Sequence, residues 1–334
     1  MVGATRAGAP ALNAALALAL DSLPRFQPRW PWLGGDLQTM RNWLVKPRPP
    51  IESWPAEPLA FEMADGTGDC LNGLLHRPHE PDRPRPLVLL IHGIGGSSDS
   101  SYIRTSAVHL LRAGYPVLRL NLRGAGGAGP TREFYHAGRS EDLKRVIGAL
   151  DGRLAAHGIV PVGFSLGGNL VLKYLAEGGA TVPVMAAISI SAPIDLLAAQ
   201  QRIAQPRNAL YHRHMLDWVK SEHHGEIGPE IRSMLDFDNA IVAPANGFKD
   251  ALDYYRQCSA APMLGAIRRP TLLIHADDDP WIPVESYRAI APALNPLLMP
   301  LLPPSGGHVG FHARGLDTPW HEVAMTRFLA ALGQ

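Results

Sequence analysis

The run Ile159-Val160-Pro161-Val162-Gly163-Phe164 is almost wholly apolar, and it passes through Ser165-Leu166-Gly167-Gly168-Asn169 into a second apolar run, Leu170 to Leu175. A strand that turns straight into a helix through Gly-x-Ser-x-Gly is the tightest constraint in this chain. Such a turn forces the serine into strained backbone and lifts its hydroxyl above the edge of a sheet. Gly163 and Gly167 carry no Cβ to clash there, and the N–H of Leu166, at the helix start, is free to bind an oxyanion. The pentapeptide alone would be a coincidence; with the strand before it and the helix after it, Ser165 reads as a nucleophile.

A strand of this kind needs cover on both faces, and 334 residues at 46% hydrophobic can bury a core large enough to give it. We read one α/β domain with an insertion. The formal net charge of +1 leaves no electrostatic footprint for nucleic acid or an anionic membrane, so small, roughly neutral partners are expected. Cys70 and Cys258 form no CxxC pair and read as free thiols in a reducing compartment, which points to the cytoplasm. Ala11 to Leu20 is too short to span a bilayer, and Asn13 interrupts it; an N-terminal helix packed on the domain is expected rather than an export signal. Whether the chain is a monomer or a homodimer is left open.

Residues 1–50 read as that helix followed by an extended arm, because Pro28, Pro31 and their neighbours disfavour a long helix while the tryptophans would pin the arm. Leu59 to Met63 and Cys70 to His76 form an expected hairpin across Asp65-Gly66-Thr67-Gly68. Apolar strands at Leu87 to Ile91, Val117 to Leu122, Val184 to Ile190, Thr271 to His275 and Leu298 to Leu302 alternate with helical patterns, which describes a mostly parallel, doubly wound sheet. The core is expected over 51–192 and 263–334. About eighty residues separate Ser191 from Thr271, where a simple crossover needs a dozen or so, and they carry helical patterns at Leu196 to Ile203, Leu210 to Lys220 and Phe248 to Cys258. Residues 193–262 therefore read as a helical cap that shapes a substrate pocket.

A serine hydroxyl is a poor nucleophile without a base and a group to orient that base. The strand ending at His275 runs into Asp277-Asp278-Asp279, of which Asp279, four residues before Pro283, is the chosen acid, with Asp278 as the alternative. His308, flanked by glycines in Ser305-Gly306-Gly307-His308-Val309-Gly310-Phe311, is the expected base; His312 lies past the turn. The second oxyanion donor is assigned to Ile94, in the loop His92-Gly93-Ile94-Gly95-Gly96 after the first parallel strand. His92 would hold that loop through its ring nitrogens, and His92, Gly93, Phe164 and Tyr254 are expected around the substrate. His212, His214, His223 and His224 with Glu222 and Glu226 fit no common zinc spacing and read as a polar helix face, so no metal is expected. Gly124 to Gly129 satisfies a bare Gly-x-Gly-x-x-Gly but runs into Pro130 rather than an apolar helix, which argues against a nucleotide site.

Together these residues resemble an α/β-hydrolase, and within that family the YheT-like branch. The resemblance rests on Leu37-Gln38-Thr39, Arg123-Gly124, Tyr135-His136-Ala137-Gly138 with Glu141-Asp142, Asp250 to Ser259, and Gly306 to Phe311. It covers the chain from about residue 30 onward and implies a hydrolase of carboxylic esters with Ser165, Asp279 and His308 as its triad and no cofactor. The branch usually has a histidine before Leu-Gln-Thr where this chain has Asp36. Thioesterase, amidase and lipase activities use the same triad, and a non-catalytic ligand-binding protein on this fold is the alternative of a different class.

Overall fold

The computed structural model describes residues 9–126, 131–223, 226–290 and 295–333. Its centre is one eight-stranded sheet of β1 (Ala56–Glu62), β2 (Cys70–His76), β3 (Leu87–Ile91), β4 (Val117–Leu120), β5 (Ile159–Phe164), β6 (Ala187–Ile190), β7 (Thr271–Ile274) and β8 (Leu298–Leu301). The order across the sheet is β1-β2-β4-β3-β5-β6-β7-β8. Only the β1/β2 and β2/β4 pairs are antiparallel, and the expected hairpin is the first of them. Strands β3 to β7 are buried along their whole length, which is why they read as unbroken apolar runs.

Alternation along each strand feeds two separate layers. Leu87, Leu89 and Ile91 pack with α4 (Ser140–Ala149) and α5 (Leu166–Gly178), the helix that leaves the serine turn. Val88 and Leu90 face the opposite layer, made by α1 (Ala9–Asp21), α3 (Ser101–Arg112) and α12 (Trp320–Leu332). Leu16 and Leu20 bury α1 there, as an N-terminal helix packed on the domain should. Among the described residues no helix is long and apolar enough to cross a membrane.

Between β6 and β7 the chain runs through α6 (Leu196–Ile203), α7 (Ala209–Glu222), α8 (Met234–Phe237), a π-helical turn (Asp238–Val242), α9 (Ala243–Ala245) and α10 (Ala251–Cys258). The short α11 (Glu285–Arg288) follows β7. The last helices of the insertion are tied to the core by Asn169 of α5, whose side-chain nitrogen donates to the carbonyls of Ala137 and Cys258 while its oxygen accepts from Ala260 N–H. Gly138 lies so close that a Cβ there would sit 2.1 Å from Cys258 Sγ. Packing between insertion and core thus accounts for most of the 135–138 and 250–259 stretches.

The expected arm is in part a helix. α2 (Gly35–Val45) occupies the middle of the proline- and tryptophan-rich segment. Pro28 and Pro31 precede it and Pro47 follows it, so no ring interrupts its hydrogen bonds; Asp36 stands in its first turn and Lys46, in left-handed conformation, ends it. The aromatic pin is Phe26, edge-on to Phe311 and Trp320, whereas Trp30 and Trp43 are exposed. Past the end of β4, Arg123 is enclosed by Asp65 at 2.7 Å, Asp69 at 2.9 Å and Asp142 at 2.6 Å, locking the β1–β2 turn to α4.

Candidate active site

Ser165 sits between β5 and α5 with φ 50° and ψ −123°, a conformation that side chains other than glycine rarely hold. Its N–H donates to Ile190 O at 2.8 Å, which fixes the turn against β6. The two motif glycines are required by close approach: a Cβ on Gly163 would lie 2.2 Å from Gly167 O, and one on Gly167 would lie 2.4 Å from His92 O.

The structure brings Ser165, His308 and Asp279 together. His308 Nε2 is 2.9 Å from Ser165 Oγ, and His308 Nδ1 is 2.9 Å from Asp279 Oδ2. Asp279 Oδ1 accepts from the N–H groups of Trp281 and Ile282, so both oxygens of this fully buried carboxylate are used. Burial works against its charge, but the facing His308, His275 and the Trp281 amide more than offset that and hold the carboxyl below its ordinary value. Asp278, the alternative acid, instead accepts from Ser305 Oγ and Gly307 N–H, and Asp277 pairs with Arg288. Trp281 packs on the His308 ring at 4.3 Å.

The histidine loop is held from an unexpected side. Thr39 Oγ1 accepts the His308 N–H at 2.8 Å, and Gln38 clamps His312, receiving its N–H and donating to its carbonyl. The loop's glycines exist for this approach: a Cβ on Gly310 would lie 2.4 Å from Gln38 O, and one on Gly307 would lie 2.3 Å from Gly35 O. Val309 and Phe311 are themselves at positive φ, so α2 braces a strained loop. Leu37-Gln38-Thr39 is therefore the clamp on the site's histidine loop. Asp36 plays no part in it and reaches Arg207 and Tyr211 of the insertion.

Loop 92–96 supplies the roof. Gly93 N–H donates to Tyr102 OH, Gly95 N–H to Tyr135 OH and Gly96 N–H to Gly93 O. The amides of His92 and Ile94 have no acceptor among the described residues, and of the two only Ile94 borders, with Leu166, the space beside Ser165. Tyr135 in turn donates to Glu222 of α7. The two tyrosines carried no sign of this task in the sequence, since their partners lie 9, 40 and 87 residues away.

Two expected substrate contacts are corrected. His92 is wholly enclosed: Nδ1 donates to Gly93 O, Nε2 accepts from Leu122 N–H, and burial lowers the ring to about 4, so it stays neutral and only shapes the loop. Phe164 points into the layer opposite the site, against Tyr102 and His321, as strand alternation from the turn dictates. Gly93 does border the site, and so does Tyr254, although its hydroxyl is occupied by Ala137 N–H. Among the described residues no group of three or more His, Cys, Asp and Glu could hold a metal ion. His212 accepts from Met234 N–H and His214 lies between Trp43 and Trp218, while His224 and Gly127 to Gly129 fall outside the described residues.

Two spaces meet at Ser165. A cavity of about 120 Å³ is lined by Ile94, Leu166, Leu196, Ile203, Met215 and Asp238 among others. A groove of about 1010 Å³ runs between α2 and α7 and includes His308, Gly93, Trp43 and Trp218.

A strained serine on a strand-to-helix turn, a buried carboxylate and a bridging histidine at the end of a mostly parallel sheet define a class, and residues 88–326 match the model of the alpha/beta hydrolase family: the chain belongs to it. Within the family it is similar to the YheT protein of Escherichia coli (strain K12), with 33% identity over 68% of this chain and 71% of that protein. It is 30% identical to Phospholipase ABHD3 of Homo sapiens over 84% of this chain and 72% of that one. The Pyrococcus furiosus esterase Pf2001 superposes with a TM-score of 0.59 at 18% identity, covering 92% of this chain and 98% of that one, a likeness of fold.

Proposed function

We propose that this chain is a serine hydrolase that cleaves carboxylic esters of short or medium acyl chains. The observation that carries the reading is the continuous path from Ser165 Oγ through His308 to the buried Asp279, two hydrogen bonds of 2.9 Å at a strained serine. Asp279 fixes the tautomer in which Nδ1 carries the proton, so Nε2 is the base that accepts the Ser165 proton as the hydroxyl attacks the carbonyl. The N–H groups of Leu166 and Ile94 receive the oxyanion. His308 then returns the proton to the leaving alcohol, and water repeats the sequence on the acyl-enzyme. Nucleophile, base and orienting acid are all side chains, so this chemistry asks for no cofactor.

Which space takes which half of the ester follows from the proton. His308 borders the groove, so the alcohol leaves through the groove, and the acyl chain enters the cavity under the insertion, 193–262, which acts as the cap. An apolar cavity of about 150 Å³ holds benzene. The smaller space beside Ser165 therefore suits acyl chains of roughly four to six carbons. The names esterase and phospholipase among its relatives support ester substrates, and two free cysteines fit the cytoplasm.

The test is hydrolysis of p-nitrophenyl esters from acetate to palmitate by the wild type and by Ser165→Ala. Turnover by the wild type alone, peaking at short or medium chains, is the expected result. No turnover by either, with no labelling of the wild type by a fluorophosphonate, would sink the proposal.

A further inference from the structure

The cavity beside Ser165 has one acidic side chain in its wall. Asp238 begins the π-helical turn after α8, and turns of this kind are frequent at functional sites. Its Oδ2 accepts from the Tyr255 hydroxyl at 2.5 Å, while Oδ1 has no partner among the described residues. The same wall carries Leu196, Ile203, Met215 and Met234, with the polar Gln200 amide from α6, surroundings in which a carboxyl is costly.

Packing of the insertion has other supports beside the Asp238–Tyr255 bond. Ser233 and Asp236 cap α8, Asp250 caps α10, and Asn239 Oδ1 accepts the Ala251 N–H, so the turns on either side are already held. Burial pushes the Asp238 carboxyl up to about 7, against the opposing pull of the Tyr255 hydrogen bond, so near neutral pH both forms are present. An ammonium group would need a full charge opposite it and acceptors for three N–H bonds, which this wall of mostly apolar side chains does not supply. A hydroxyl is satisfied by either form, donating to the carboxylate or accepting from the acid.

We infer that Asp238, held in place by Tyr255, determines specificity, and that the cavity takes a short acyl chain bearing a hydroxyl group in preference to a plain alkyl chain. This rests on Ser165 being the nucleophile of an ester hydrolase. The plain apolar walls grip the carbon skeleton, and Asp238 reads the one polar group on it.

The experiment compares p-nitrophenyl esters in pairs of matched shape: 3-hydroxybutyrate with 3-methylbutyrate, and 6-hydroxyhexanoate with heptanoate. In the wild type, kcat/KM for the hydroxy ester of at least one pair exceeds its partner by about tenfold, the worth of one hydrogen bond. Asp238→Leu brings that ratio to about one or below, while Asp238→Asn, whose amide also pairs with a hydroxyl, keeps most of it. If Asp238→Leu does not fold by circular dichroism, Asp238→Ala takes its place, and the wild-type ratio decides by itself whether the hydroxyl is read. Equal or better turnover of the apolar partner in both pairs, with Ser165→Ala inactive, overturns the hydroxyl preference and leaves the esterase reading standing. A preference that survives in the folded Asp238→Leu or Asp238→Ala protein overturns the role of Asp238. Absence of all turnover together with no fluorophosphonate labelling removes the esterase reading and this one with it.

Discussion

The cavity and the groove share Ser165, Ile94 and Trp281, yet they differ widely in size, about 120 against about 1010 Å³. The cavity is a small space walled by the insertion helices together with Ile94 and Leu166 of the core, mostly apolar but with Asp238 and Gln200 in its wall. The groove is lined by exposed aromatics, with His214 placed 4.7 Å from Trp43 and 4.9 Å from Trp218, and by Arg207 and Arg213, which sit in water. A small apolar space discriminates by volume, because an extra methylene finds little room there; a large one does not. On the proposed function, selectivity for the acyl half falls to the cavity and tolerance for the alcohol half to the groove.

The comparison breaks entirely if the shared floor is removed. Ser165→Ala should lower turnover by on the order of 10⁴-fold or more for every ester, whichever half is varied. Filling the cavity should separate the halves: Ala199→Phe is expected to cut kcat/KM for hexanoate about 10- to 100-fold relative to acetate, while the choice of alcohol leaves that ratio unchanged. A fall shared equally by acetate and hexanoate would mean that the acyl chain does not use the cavity. Thr39→Val takes the partner from His308 N–H, leaves the cavity untouched and alters the groove only at one small side chain, and about 1 kcal/mol of lost hydrogen bond should lower kcat roughly fivefold with KM nearly constant. The smallest effect belongs to the groove, where Trp218→Ala should change kcat/KM by about twofold for phenyl and naphthyl esters alike. A large, alcohol-dependent change there would make the groove selective after all.

Acid tests a different contrast, between the buried histidines and Asp238. Burial lowers His92 to about 4; burial together with the charge of Lys173 lowers His136 to about 4; burial together with Arg41 lowers His312 to about 3. Each is below the ordinary histidine value, so the unfolded chain binds more protons than the folded one. Stability from these rings is complete above about pH 6.5 and is lost as the pH falls toward 4, at about 1.4 kcal/mol per unit for each ring. Asp238 and Glu222, both raised by burial, act in the opposite direction over part of this range but are two groups against three. The urea midpoint should therefore fall between pH 7 and pH 5; a flat or rising midpoint would show that these rings are open to water.

What the sequence disclosed was local. The strand, the glycines and Ser165 are contiguous, and their strain is a property of one turn, so the turn could be read without knowing its surroundings. Asp279 and His308 followed from chain order after late strands. Asp279 won over Asp278 because only its carboxylate reaches His308 Nδ1, and the neighbouring aspartate is spent on the loop's own hydrogen bonds. The misreadings came from parts whose meaning is set by distant partners. α2 was hidden by prolines that turned out to bracket it rather than break it. Phe164 borders Ser165 in sequence but faces the other layer, and Tyr102, Tyr135 and Asp238 serve groups that no periodicity connects to them.

The brace between α2 and the loop around His308 sets a condition on assembly. Thr39 lies 269 residues before His308, and Gln38 lies 274 before His312. All eight strands of the sheet fall between the two segments in the chain. In the proposed mechanism Ser165 is therefore without a seated base until two segments from far ends of the sheet's sequence have met, which ties the reactivity of one local turn to the fold as a whole.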